Sequence, residues 1–166
     1  MIDLIISESW FKFLTPWQQQ LAKLSWQLLI REQQSSDYWC DYSFILFSMS
    51  KVYEGFLKKL LYEMELIDQQ TYEGRRFRIG RALNPNVAVK HRDQYWLYDN
   101  LSELCGSELA DNLWMAWTEC RNQVFHFFPG GKKAMSLEEA KNRLEQLADV
   151  MSQAVSCLNA SKYGAN

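Results

Sequence analysis

The chain of 166 residues, 48% apolar and 23% charged, has the composition of one folded globular domain, which excludes disorder and collagen-like repeats. Aromatics stand out at 14%, while only seven Gly and three Pro argue against turn-rich all-β architectures and for long helices. A net charge of −2 excludes a globally basic nucleic-acid coat protein.

The first residues carry Asp3 and Glu8, lack a basic n-region and show no Ala-x-Ala pattern, so they do not read as a signal peptide. Thr15-Pro16 is a helix start, with Thr as N-cap and Pro at the first helical position. That helix is expected to reach about Gln34, with Trp17, Leu21, Leu24 and Leu28 on its apolar face. A second, long helix is predicted from about Tyr42 to Ile67. Ile45, Met49, Val52, Phe56, Leu60 and Met64 recur there at steps of three and four, widened by Tyr53, Leu57 and Leu61. Gly74, Gly80 and Asn84-Pro85-Asn86 then break the pattern, leaving a short helix near Phe77–Leu83.

Charge is segregated in this middle stretch. Between Arg75 and Arg92 there are six Lys or Arg and no acid, which leaves twelve basic against twenty acidic residues for the rest of the chain. Arg75, Arg76, Arg78 and Arg81 are candidate contacts to an RNA backbone, with Phe77 and Tyr95 available for base stacking. Three more helices are predicted, over about Arg92–Leu104, Ser107–Phe127 and Ser136–Leu158. The middle one places Leu109, Leu113, Trp117, Cys120 and Val124 on one face and ends at Pro129-Gly130-Gly131. The last opens with the capping box Ser136-x-x-Glu139 and buries Leu137, Ala140, Leu144, Leu147, Met151 and Val155. The expected fold is a compact all-α bundle of five to six helices, one domain over residues 1–166 with its core at about 15–160.

No apolar run approaches the roughly 20 residues that cross a bilayer. The cysteines at 40, 105, 120 and 157 form no Cys-x-x-Cys pair, and there are two histidines, so neither a zinc site nor a disulfide framework is indicated. The expectation is a cytoplasmic, reduced protein without metal or cofactor and without a membrane partner.

One stretch carries chemistry: Trp117-Thr-Glu-Cys-Arg121-Asn122-Gln-Val-Phe-His126-Phe-Phe-Pro129. Asn122 and His126, four apart, share a helix face, whereas Arg121 would lie about 140° round from His126 on a regular helix. A bent last turn or a second subunit would reconcile them. Histidine titrates near neutrality and serves as base or acid, and arginine stays charged with a fork of donors that fits phosphate oxygens. Together they suit attack of an RNA 2′-hydroxyl on its own phosphate. Against this stands the plainer possibility of a helix-end His bonding the last carbonyls beside a surface Arg. Glu54, flanked by Lys51 and Lys58 at helical spacing, reads by itself as a surface ion pair.

Arg121-Asn122-x-x-x-His126 resembles the Arg-polar-His signature of the HEPN superfamily, small all-α domains that are often dimeric metal-independent ribonucleases of toxin–antitoxin and antiviral systems. Lys51-Val-Tyr-Glu54-Gly-Phe-Leu-Lys-Lys59-Leu-Leu resembles the corresponding helix of the HEPN domain in RNase LS-type toxins. That resemblance implies a catalytic set of Arg121, His126, Glu54 and Asn122, with Glu54 orienting His126. It also implies a homodimer with a composite site, an RNA substrate, and an antitoxin or other defence-system partner. The alternative is a non-catalytic HEPN module that binds RNA or docks a partner. RNase LS-type toxins carry further N-terminal domains that these residues do not include. Phe128 stands where HEPN toxins paired with nucleotidyltransferase antitoxins carry Tyr.

Overall fold

The computed structural model describes residues 2–126, 129 and 133–163. All regular structure among them is helical: α1 (Ile2–Ser7), α2 (Ser9–Phe13), α3 (Pro16–Gln34), α4 (Leu46–Glu63), α5 (Gln69–Glu73), α6 (Ile79–Ala82), α7 (Tyr98–Cys105), α8 (Ser107–Trp117) and α9 (Leu137–Tyr163). A single-turn 3₁₀ segment, Ser43–Ile45, leads into α4, and a π-helical segment, Thr118–Asn122, continues α8. The all-α bundle read from composition and periodicity is present.

Helix α4 is the centre. Met49, Val52, Tyr53, Phe56, Leu57, Leu60 and Leu61 are fully buried, the stripe that the spacing predicts. Each such apolar side chain contributes about 1.5–3 kcal/mol by leaving water. Helices α3 and α9 pack on either side of it, α9 through Ala140, Leu144, Leu147, Met151 and Val155. The start of α3 is a reciprocal capping box between Thr15 and Gln18, and that of α9 one between Ser136 and Glu139.

Four expectations need correction. On α3, the face that meets the core is Ala22, Ser25, Trp26, Leu29 and Glu32, while Leu24 and Trp17 are exposed. Small residues set this contact. Ser25 Oγ accepts the Met49 N–H at 3.0 Å, and a side chain at Gly55 would meet the Gln18 side-chain amide. Second, α4 stops at Glu63 rather than Ile67. Glu65 takes a left-handed φ of 59°, so Leu66 N–H reaches back to Leu61 O and Glu65 N–H to Tyr62 O. That is a Schellman stop without the usual glycine. Third, the helix expected from Arg92 begins at Tyr98. The Asp93 carboxylate accepts the Tyr95 N–H instead, a local turn that competes with helix. Fourth, Cys105 and Cys157 form a disulfide that ties α7 to α9, with Cα atoms 5.7 Å apart, against the expectation of free thiols throughout. The sequence separation of 52 hid the pairing. Cys40 and Cys120 are free.

The core also extends below residue 15, since Trp10 and Phe11 of α2 and the Leu14 that follows it are buried. Among the described residues no helix is long and apolar enough to cross a membrane.

Candidate functional site

The site is assembled where α4 faces the end of α8. Two buried hydrogen bonds fix that contact: Tyr53 Oη donates to Leu113 O at 2.8 Å, and Ser50 Oγ to Cys120 O at 2.8 Å. Tyr53 and Ser50 lie one and four residues before Glu54, so the same turns of α4 that bury them present the carboxylate at the edge. From the other side α9 grips the segment, with Arg143 and Gln146 both bonded to the Glu119 carboxylate.

Helix α8 was expected to continue regularly to Phe127. Its α-helical part ends at Trp117, and the next turn is π-helical, with Gln123 N–H bonded to Thr118 O at 2.9 Å. A π turn accommodates one extra residue and re-aims every side chain beyond it. Thr118 Oγ1 is buried there without a hydrogen-bond partner. The regular-helix angle between Arg121 and His126 therefore does not apply. Phe128, Gly130 and Gly131, on which the helix stop and the comparison with tyrosine-bearing toxins rest, lie outside the described residues.

Arg121 Nη2 donates to Glu54 Oε2 at 3.1 Å, joining residues 67 apart in sequence. The guanidinium carbon sits 4.9 Å from the ring centroid of buried Trp117, a cation–π contact beneath the ion pair. The flanking lysines do not hold Glu54. Lys51 lies over the Phe47 ring at 4.5 Å, and Lys58 donates to Gly74 O at 2.9 Å. The simple surface pairing open to Glu54 from sequence is thus replaced by a pairing between helices.

His126 is exposed, and its Nε2 lies 3.3 Å from Asn122 Oδ1, the i, i+4 pairing that the spacing gives. The group beside the imidazole is the Asn122 amide, and the Glu54 carboxylate is on Arg121.

Two clefts adjoin this corner. The nearer, of about 380 Å³, is lined by Glu54, Arg121, Asn122, Trp117 and Gly80, together with Arg78 and Arg81. His126 is not among its lining residues. An added Cβ on Gly80 would lie 2.8 Å from Trp117 Nε1, so glycine is what lets α6 close over the indole that supports Arg121. The larger cleft, of about 680 Å³, is lined by Arg75, Arg76, Arg78 and Arg81 with Phe77 and Tyr95. All four arginines singled out in the sequence therefore face one space, and Arg78 and Arg81 line both clefts. Arg92, by contrast, is spent within its own loop, stacked 3.8 Å from the Trp96 ring centroid and bonded to Val87 O. Among the described residues no cluster of three or more His, Cys, Asp or Glu is placed to hold a metal ion.

Sequence reading missed the π turn, Trp117 as the platform for Arg121, and Gly80 as its spacer. An isolated glycine in a short helical stretch was the one available signal. Scans against protein-family models, curated proteins and solved structures find nothing that matches this chain.

Proposed function

We propose that this chain is a HEPN-type endoribonuclease of a bacterial toxin–antitoxin or antiviral defence system, acting as a cytoplasmic homodimer on RNA without a metal ion. The observation that carries the reading is the Glu54–Arg121 pair. A guanidinium fixed at 3.1 Å from a carboxylate, on a buried indole, opens onto a cleft with two further arginines. Arg121 is thereby oriented before any ligand arrives, which is how a cation stabilises charge that develops on a phosphate.

In the proposed reaction the RNA 2′-oxygen forms a bond to phosphorus and the bond to the 5′-oxygen breaks. A base takes the 2′-hydroxyl proton and an acid supplies one to the leaving 5′-oxygen. The products are a 2′,3′-cyclic phosphate and a 5′-hydroxyl. Arg121 neutralises the pentavalent dianion and Glu54 holds Arg121 in place. His126 is the base or acid. His126 Nε2 lies 3.3 Å from the Asn122 amide oxygen, which leaves Nδ1 for the substrate. His126 borders the Arg121 cleft through Asn122, which lines it, and a second copy completes the composite arrangement implied by the resemblance.

Purified protein is incubated with 3′-labelled RNA in EDTA beside His126→Ala. Loss of full-length RNA with the wild type, leaving 5′-hydroxyl ends, is expected, with cleavage slower by at least about 10²-fold in the variant. Equal cleavage by both, or cleavage only with Mg²⁺, overturns the mechanism. One observation favours the runner-up, a non-catalytic RNA-binding or partner-docking module: His126 is exposed and does not itself line the cleft that holds Arg121 and Glu54. Tight RNA binding without turnover would establish it.

A further inference from the structure

The larger cleft has features that backbone neutralisation alone does not require. Its wall combines cations with an aromatic pair: Phe77 and Tyr95 meet edge to face at 71°, with centroids 6.1 Å apart. Phe77 is rooted in the core, whereas Tyr95 is 43% exposed, so one ring props the other towards solvent. The backbone beneath Tyr95 is pinned as well. Asp93 accepts its N–H at 3.1 Å and also pairs with Arg81 at 2.7 Å. Arg78 Nη1 donates to Arg75 O at 2.6 Å, which sets the turn from which Arg75 and Arg76 project. The wall also holds two acids, Asp93 paired with Arg81 and Asp68 capping α5 at Thr71, so four guanidinium groups outnumber two carboxylates. What faces the space is therefore an exposed phenol ring and a surplus of guanidinium groups. Flat π-surface beside phosphate-binding cations is the chemistry of a nucleotide subsite.

We infer that this cleft is a nucleotide subsite in which a base of single-stranded RNA stacks on Tyr95 while Arg75 and Arg76 hold the adjoining phosphates, Arg78 and Arg81 leading the strand to Arg121. The inference rests on the ribonuclease reading in that it makes the two clefts one substrate path. A volume of about 680 Å³ falls in the usual range for small-molecule sites and is enough for a nucleotide. An acidic peptide would satisfy the arginines and leave the exposed ring without a role.

The test uses a short, fluorescein-labelled 2′-O-methyl RNA oligonucleotide, which lacks the attacking hydroxyl, so that binding is read by anisotropy without cleavage. In wild-type protein, removing the base at one position of the oligonucleotide should weaken binding about 5- to 100-fold, the range for loss of one stacked base. Tyr95→Ala should weaken the intact oligonucleotide by the same factor, and the two losses together should not add. Tyr95→Phe should retain affinity. Arg75→Ala and Arg76→Ala should each reduce the slope of log affinity against log salt by roughly 0.7, whichever base is present. If Tyr95→Ala fails to fold, the abasic scan is repeated on the two arginine variants, where the privileged position must persist. Equal loss at every abasic position, or displacement of the probe by poly-glutamate of matched charge, overturns the inference. The outcomes stay separable from the ribonuclease reading. A privileged stacked position without RNA cleavage keeps the subsite and removes the enzyme, and cleavage without such a position does the reverse.

Discussion

The two halves of the Arg121–Asn122–His126 motif are held in different ways. Arg121 stands on a π turn clamped between α4 and α9, with its guanidinium fixed by Glu54 and Trp117. Five residues of chain later, that framework has ended. His126 is exposed, and its neighbour Phe125 touches the fold through an edge contact with half-exposed Phe47 at 5.7 Å. A group that meets developing charge gains from rigid placement, because no reorganisation is then needed at the moment of reaction. A group that moves protons needs access to substrate and solvent. The structure separates the preorganised half from the open half within five residues.

That contrast is broken or sharpened first by catalysis. Each of Arg121→Ala and His126→Ala is expected to reduce metal-free RNA cleavage by at least about 10²-fold, or about 2.7 kcal/mol in the barrier. The double variant should be little worse than either single one, since groups acting in one step are not additive. Thermal stability should move more with Arg121→Ala, which strips the pairing from Glu54, than with His126→Ala at an exposed position. Additive losses would mean that the two residues serve separate events, and the division proposed for the motif would fail.

Much of the framework was legible in the sequence because it depends on period and caps. The α4 stripe from Met49 to Leu60, the Thr15 N-cap and the Ser136–Glu139 capping box stand where residue spacing put them. What was illegible depends on tertiary contact. The core face of α3 centres on Ala22, Ser25, Trp26 and Leu29, with Leu21 and Leu28 at its edge and Leu24 exposed, because Ser25 hydrogen-bonds into α4 and turns that face inward. The stop at Glu65 uses a left-handed residue that carries no glycine signal. At the site, Arg121, Asn122 and His126 could be chosen by chemistry, yet the pairing of Arg121 with Glu54 crosses 67 residues, and the π turn that aims it has no composition of its own.

The clamped half can also be loosened from a distance. The Cys105–Cys157 disulfide closes a loop of separation 52 between α7 and α9, and in the chain-entropy account a loop of that size stabilises by about 4 kcal/mol. Reduction should lower the melting temperature by roughly 10 °C for a domain of this size. Mass spectrometry before and after alkylation checks that the bond is present in the purified protein. Cys157→Ser should reproduce the reduced melting temperature and show no further response to reductant. An unchanged melting temperature on reduction would mean that α7 and α9 are held by packing alone.

The smallest effect, per unit of pH, comes from two protons buried under the clamp. Burial pushes the Cys120 thiol from 9.0 up to about 12, with nearby Arg143 opposing and Glu119 adding to the rise. Burial likewise raises the Tyr53 phenol well above 10.0. In the unfolded chain both groups ionise at their ordinary values, so their contribution is complete below about pH 9 and is lost as pH climbs towards the folded-state values. Each group should remove at most about 1.4 kcal/mol of stability per pH unit, Cys120 first and Tyr53 from about pH 10 upward. Urea midpoints measured from neutral to alkaline pH should fall accordingly, and Cys120→Ala should delay the fall. Tyr53→Phe should remove the upper part of the slope while costing about 1 kcal/mol at neutral pH, because Leu113 O loses its extra donor. Rapid alkylation of Cys120 in the native protein near pH 9 would show that the clamp opens under native conditions, and Arg121 would then be no more preorganised than His126.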